Sequence, residues 1–132
     1  MKILTVGVFD YFHYGHLKLF QRAKALGEYL IVAVQEDEAV TKFKPNSKLL
    51  YSLEKRKEIV GAIRYVDEVI SYSNVYELVC KTNFDILVLG EDQNHEWFQK
   101  AKLYCLKNGK QVTVLPRTPG ICSSNIKAVF LK

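Results

Sequence analysis

Two imidazoles three residues apart, His13 and His16, stand in the stretch Gly7-Val8-Phe9-Asp10-Tyr11-Phe12-His13-Tyr14-Gly15-His16, where an apolar strand pattern gives way to a helical one. Residues at i and i+3 on a first helical turn share a face. A helix N-terminus presents unpaired backbone N–H groups and a positive dipole end to an anion. Both rings can therefore meet one polyphosphate. Gly15, between them, has no Cβ and lets a ligand come close to the backbone. A second chemically loaded stretch stands near the other end, Arg117-Thr118-Pro119-Gly120-Ile121-Cys122-Ser123-Ser124. There Gly120 permits a tight turn, and the hydroxyls of Thr118, Ser123 and Ser124, with the N-terminus of a following helix, can take phosphate oxygens.

The elements that must position these groups read as strand-then-helix units. Lys2–Phe9 is a strand, followed by a helix through Leu26 that Gly27 stops. Tyr29–Val34 is a short, continuous, β-branched run, as in a buried strand. A polar loop is expected from Glu36 to Tyr51, with Ser52 capping a helix Leu53–Arg64. Asp67–Ser71 and Asp85–Leu89 are further strands, with a helix from about Asn74 to Thr82 between them. A helix from about His95 to Asn108 leads to a last strand at Gln111–Leu115, and Ser123 or Ser124 can cap a final helix. Alternation of this kind implies an α/β fold: a Rossmann-like, doubly wound, five-stranded parallel sheet with helices on both faces. Ligands of such sheets sit beyond the carboxyl ends of the strands. The stretches Asp10–His16, Glu36–Lys48, Glu91–Asn94 and Arg117–Ser124 all fall at that edge, so distant motifs converge.

Composition bounds the rest. With 132 residues there is room for one core, and a single domain over 1–132 is expected. Apolar residues make up 48%, which excludes a disordered chain. Cys80, Cys105 and Cys122 have no framework or zinc spacing and suit free thiols in a reducing cytosol. The apolar run Ile3–Phe9 is too short for a membrane span or signal segment, so a cytoplasmic protein is expected. The net charge of +5 suits a protein that collects anionic small molecules. No RGG tract or basic-aromatic stripe supports nucleic acid.

The stretch G-x-F-D-x-x-H-x-G-H resembles the first signature of the nucleotidyltransferase superfamily that includes the cytidylyltransferases. Arg117–Ser124 is similar to the R-T-x-G-I-S-[ST]-[ST] segment of glycerol-3-phosphate cytidylyltransferases, and Arg64-Tyr65-Val66-Asp67-Glu68-Val69-Ile70 to another of their segments. The resemblance implies transfer of CMP from CTP, with Mg²⁺ or another divalent cation, to a small phosphorylated acceptor such as glycerol 3-phosphate, for surface polymer synthesis. It implies that His13, His16, Lys42 and Arg117 serve the reacting phosphates. It places Gly7, Val8, Phe9, Asp10, Gly15, Asp92, Thr118, Gly120, Ile121, Ser123 and Ser124 around the nucleotide. Lys44, Arg56, Arg64 and Asp67 then fall on the acceptor side, Arg64 to Asp67 also at a homodimer contact. Asp10 is a candidate for holding a metal or orienting a histidine, against its ordinary use as a turn or cap residue.

Two departures from the pattern bear on the chemistry. Val8 stands where a Thr is usual, and Cys122 where a hydroxyl is usual, a thiol being the poorer donor. The segment Gln93-Asn94-His95-Glu96-Trp97-Phe98 differs most, with Trp97 and Phe98 read as core. The other readings are an adenylyltransferase using the same HxGH pair and a non-catalytic nucleotide-binding module.

Overall fold

The computed structural model describes residues 1–46 and 48–116. Strands β1 (Lys2–Gly7), β2 (Tyr29–Gln35), β3 (Glu68–Tyr72), β4 (Ile86–Gly90) and β5 (Gln111–Leu115) form one sheet in the order β3-β2-β1-β4-β5, every pair parallel. Between them run α1 (Tyr14–Lys24), α2 (Asp37–Phe43), α3 (Leu53–Gly61), α4 (Val75–Lys81) and α5 (Glu96–Lys107). Alternation along each strand divides the apolar residues between two layers, because successive side chains point to opposite faces. Ile3, Leu30, Val32, Val34 and Val88 pack with Phe20 and Ala23 of α1 and Val60 of α3. Leu4, Val6, Ile31, Ala33 and Leu87 pack with Val75, Leu78 and Val79 of α4 and Phe98, Ala101 and Cys105 of α5. Each central strand is buried on both faces, as its near-continuous apolar run requires. Phe98 is core and Trp97 packs against it, as their spacing suggested.

The strand order reverses at β1, whose neighbours are β2 on one side and β4 on the other. That leaves a crevice beyond Gly7 and Gly90, the position where open α/β sheets take ligands. Gln93 spans it: its amide nitrogen donates to the Val6 carbonyl at 2.8 Å and its oxygen accepts from Gly90 N–H at 2.9 Å.

The segment from Glu36 to Tyr51, expected as a loop, contains α2 instead. Asp37 and Glu38 lie in its first turn and Lys42 in its last, which suits the helix dipole, and Ala39 and Val40 are buried. Seven residues are too short to display a helical period, so the polar composition dominates the reading. The structure ends the third helix at Gly61, short of Arg64, and Ser52 makes no side-chain cap; Asp37 Oδ2 accepts the Leu53 N–H instead, at 3.3 Å. Asn74 does cap α4, accepting from Tyr76 N–H and Glu77 N–H.

At the amino edge two aspartates sit just before their strands. Asp85 accepts the Lys2 N–H at 2.7 Å, and Asp67 accepts the Leu30 N–H at 2.8 Å while pairing with Lys24. Each staples an N–H at the start of a neighbouring strand, which water would otherwise have to satisfy.

The turn from α1 into β2 passes hard against the start of the chain. A Cβ on Gly27 would lie 2.5 Å from the Met1 carbonyl oxygen, a backbone atom that cannot swing aside. A Cβ on Gly61 would meet Val69 Cγ2 at an ordinary 3.5 Å. Gly27→Ala should therefore lower unfolding stability by about 1–3 kcal/mol, the usual cost of a forced backbone shift. Gly61→Ala should raise it by about 0.5–1 kcal/mol through helix propensity and a less free unfolded chain. Urea denaturation of the two variants checks both signs.

Candidate active site

The chain leaves β1 through two residues in the left-handed region, Phe9 (φ 56°) and Tyr11 (φ 50°). Neither is glycine, and each such conformation costs about 1–2 kcal/mol. What forces the turn is packing: Phe9 is buried against Phe20, ring centroids 5.1 Å apart, and folds back over Gly7, where a Cβ would sit 2.8 Å from Phe9 Cζ. Gly7 thus leaves room for the aromatic ring.

The turn delivers His13 to the N-cap of α1. His13 Nδ1 accepts from Gly15 N–H at 3.0 Å, and His16 Nδ1 accepts from His13 N–H at 3.3 Å. Two histidines here replace the Ser/Thr and Glu of the usual capping box. The rings stack with centroids 3.8 Å apart and 19° between planes, and Phe9 and Phe12 close around His16 at 5.4 and 5.2 Å. Burial, then the neighbouring His13, pushes the His16 pKa down to about 3, against a smaller raising influence from Asp92. Burial lowers that of His13 as well. Both rings are therefore neutral near pH 7. Since each Nδ1 is an acceptor, each proton sits on Nε2, and both Nε2–H groups are donors. The site offers an anion two neutral donors, a helix N-terminus and no negative charge from the rings.

Asp10, between the two strained residues, is buried, and its carboxylate accepts from Leu50 N–H at 2.7 Å and Tyr51 N–H at 3.2 Å. Lys42 lies in the last turn of α2, Lys44 is its C-cap and Lys48 follows, all exposed. Asp92 is exposed beyond β4, close enough to His16 to influence its titration. Among the described residues, no group of three or more His, Cys, Asp or Glu side chains could hold a metal ion. Arg117, Thr118, Gly120, Ile121, Ser123 and Ser124, with Cys122, lie outside the described residues; β5 ends at Leu115 on the carboxyl edge.

Three residues assigned to the acceptor side have other partners within this chain. Arg56 is fully buried, and its guanidinium donates to the carbonyls of Val8 (2.9 Å), Gln35 (2.8 Å) and Tyr51 (3.1 Å) and to Asp37. Arg64 and Asp67 lie at the amino edge, because α3 runs back antiparallel to the strands, and within one chain they are at the opposite end of the sheet from His13 and His16. There Arg64 stacks on Tyr65 and Asp67 is held by Lys24 and Leu30. Asp37 and Gln93 were missed. The acidic run Glu36-Asp37-Glu38 after a strand was a readable helix start; nothing in the sequence announced that Gln93 bridges two strand ends.

A cytidylyltransferase-like family model matches residues 4–129. The chain belongs to this family. It is 42% identical to the glycerol-3-phosphate cytidylyltransferase of Bacillus subtilis (strain 168) over 129 residues, 96% of this chain and 94% of that protein. The glycerol-3-phosphate cytidylyltransferase of Staphylococcus aureus (strain NCTC 8325 / PS 47) is 37% identical over 96% of the chain and 92% of its own length. A bifunctional protein HldE, from Blochmanniella floridana, is 36% identical over 94% of the chain but only 26% of its own length. Among solved structures, a lipopolysaccharide core biosynthesis protein from Thermoplasma volcanium GSS1 shares the fold, with a TM-score of 0.72 at 24% identity over 89% of this chain and 96% of that one. The chain is thus a nucleotidyltransferase-type enzyme of the cytidylyltransferase-like family, and the HYGH segment is its candidate anion site.

The depressed His16 pKa has a consequence for folding. An unfolded imidazole takes up its proton near 6.5, the folded one only near 3, so the unfolded chain binds more protons in between. The stability contributed by the neutral ring is complete above about pH 6.5 and lost as pH falls toward 3. His16→Asn, whose amide oxygen can replace Nδ1 as acceptor, should flatten the loss of unfolding free energy between pH 6.5 and 4 relative to the parent protein. Parallel losses in the two proteins, measured by denaturant titration at each pH, would show that the folded ring titrates normally.

Proposed function

We propose that this enzyme transfers CMP from CTP to a small phosphorylated acceptor, glycerol 3-phosphate, giving CDP-glycerol and pyrophosphate in the cytoplasm. The observation that carries this reading is the similarity, over almost the whole of both chains, to proteins named glycerol-3-phosphate cytidylyltransferase. The histidine pair supports it from the side of chemistry. The acceptor's phosphate oxygen attacks the α-phosphorus of CTP in line, the bond to the bridging oxygen breaks, and pyrophosphate leaves with its electron pair. The acceptor is already anionic, so no covalent enzyme intermediate and no strong base is needed.

Catalysis of this kind rests on positioning and on donors aimed at the phosphoryl oxygens. His13 and His16 supply Nε2–H donors on a preorganised cap. The exposed lysines of α2 and the turn after it, Lys42 and Lys44, bring positive charge to the same edge, and Arg117 and its segment belong to the proposed phosphate wall by their pattern. A divalent cation such as Mg²⁺ accompanies the CTP phosphates as counter-ion. Asp10 is held by two backbone N–H groups, from Leu50 and Tyr51, one on each carboxylate oxygen.

Pyrophosphate release should be seen with CTP and glycerol 3-phosphate, and not with ATP in place of CTP. Release with CTP only when another phosphorylated acceptor is supplied would keep the cytidylyltransferase and discard the substrate. His16→Ala should lower turnover by about 10²-fold or more in a folded protein, the usual loss for a transition-state donor. We also propose a homodimer, since a short open sheet gains core by pairing. Light scattering at micromolar concentration should give twice the mass of 15.2 kDa; the single mass would refute the dimer.

A further inference from the structure

We infer that Asp10 and Arg56 are positioning residues that latch the histidine-bearing turn to the lysine-bearing segment, and that neither meets substrate. The inference deepens the proposed reaction and rests on it for its kinetic readout. Its structural basis is a closed set of bonds around one residue. Tyr51 is gripped at its N–H by Asp10 and at its carbonyl by Arg56. On the other side, the same two groups grip the turn after β1, Asp10 as part of it and Arg56 through the Val8 carbonyl. Residues 8–10 and 50–51, some 40 positions apart in sequence, are thus held together by two independent side chains.

Arg56 also holds the far end of the lysine segment. It pairs with Asp37, the first residue of α2, and bonds the Gln35 carbonyl at the end of β2. Asp37 in turn accepts the Leu53 N–H at the start of α3. The stretch from 37 to 51, which carries Lys42, Lys44 and Lys48, is therefore fastened at both ends to the network that fixes Val8 and Asp10. Phe9 and Tyr11, the two left-handed residues, flank Asp10 directly. Strained backbone persists only where its surroundings over-determine it, and the bonds to Val8 and Asp10 add to the constraint that the packing of Phe9 already sets. The latch sets where the lysine ammonium groups stand relative to the two Nε2–H donors.

A double-mutant cycle separates this from a merely structural role. Asp10→Asn keeps the size of the side chain but turns an amide NH₂ toward a backbone N–H. It should lower kcat/KM for CTP on the order of 10²-fold, the scale expected for misplacement of catalytic groups. In a Lys42→Ala, Lys44→Ala background the same change should cost roughly tenfold less, because there is no longer a charge to misplace. Losses that multiply would overturn the latch. A second measurement does not need activity. In Asp10→Asn and in Arg56→Lys, each shown to unfold cooperatively, amide exchange at Leu50 and Tyr51 should quicken and the ring resonances of His13 and His16 should shift. Unchanged histidine resonances would overturn the inference. An inactive wild-type protein would discard the proposed reaction while the resonance measurement still decides the latch.

Discussion

A guanidinium sealed from water must have its donors met by protein, because the uncompensated burial of a charge costs several kcal/mol. Arg56 meets this constraint by drawing together the ends of β1 and β2, the start of α2 and the residue before α3. No buried side-chain nitrogen or oxygen among the described residues lacks a partner. The carboxyl edge of the sheet is consequently not a row of independent loops. Among the described residues, the ends of β1 and β2, the start of α2 and the residues before α3 are tied to one side chain.

The histidine pair shows how one arrangement serves structure and chemistry at once. As a cap, the pair uses both Nδ1 atoms to satisfy backbone donors at the start of α1. That use selects the tautomer in which Nε2 carries the proton, and the packing of Phe9 and Phe12 keeps His16 neutral. The ordinary reading of two histidines at a helix start, a capping pair, and the reading as phosphate ligands are therefore compatible. The nitrogens that cap are different from those that would donate.

The two edges of the sheet have been given different work. At the amino edge, Asp67 and Asp85 complete the hydrogen bonding of neighbouring strands, and Arg64 stacks on Tyr65. Charged residues there resemble site residues in composition alone. Direction of travel separates them: a helix that begins at the carboxyl edge must end at the other one, so residues along α3 and past its end cannot all face the same ligand.

Sequence alone determined the strands and their parallel connection, because strand and helix periods are local and alternation admits few topologies. It also determined the histidine pair, since a three-residue spacing at a strand-to-helix junction has one meaning in backbone geometry. The tertiary structure decided what the charged residues do. Whether Arg56 bonds carbonyls or reaches solvent, and which N–H groups Asp10 accepts from, depends on atoms contributed from distant parts of the chain. Hydrogen-bond partners are chosen by distance in space, and a linear pattern carries no record of that distance.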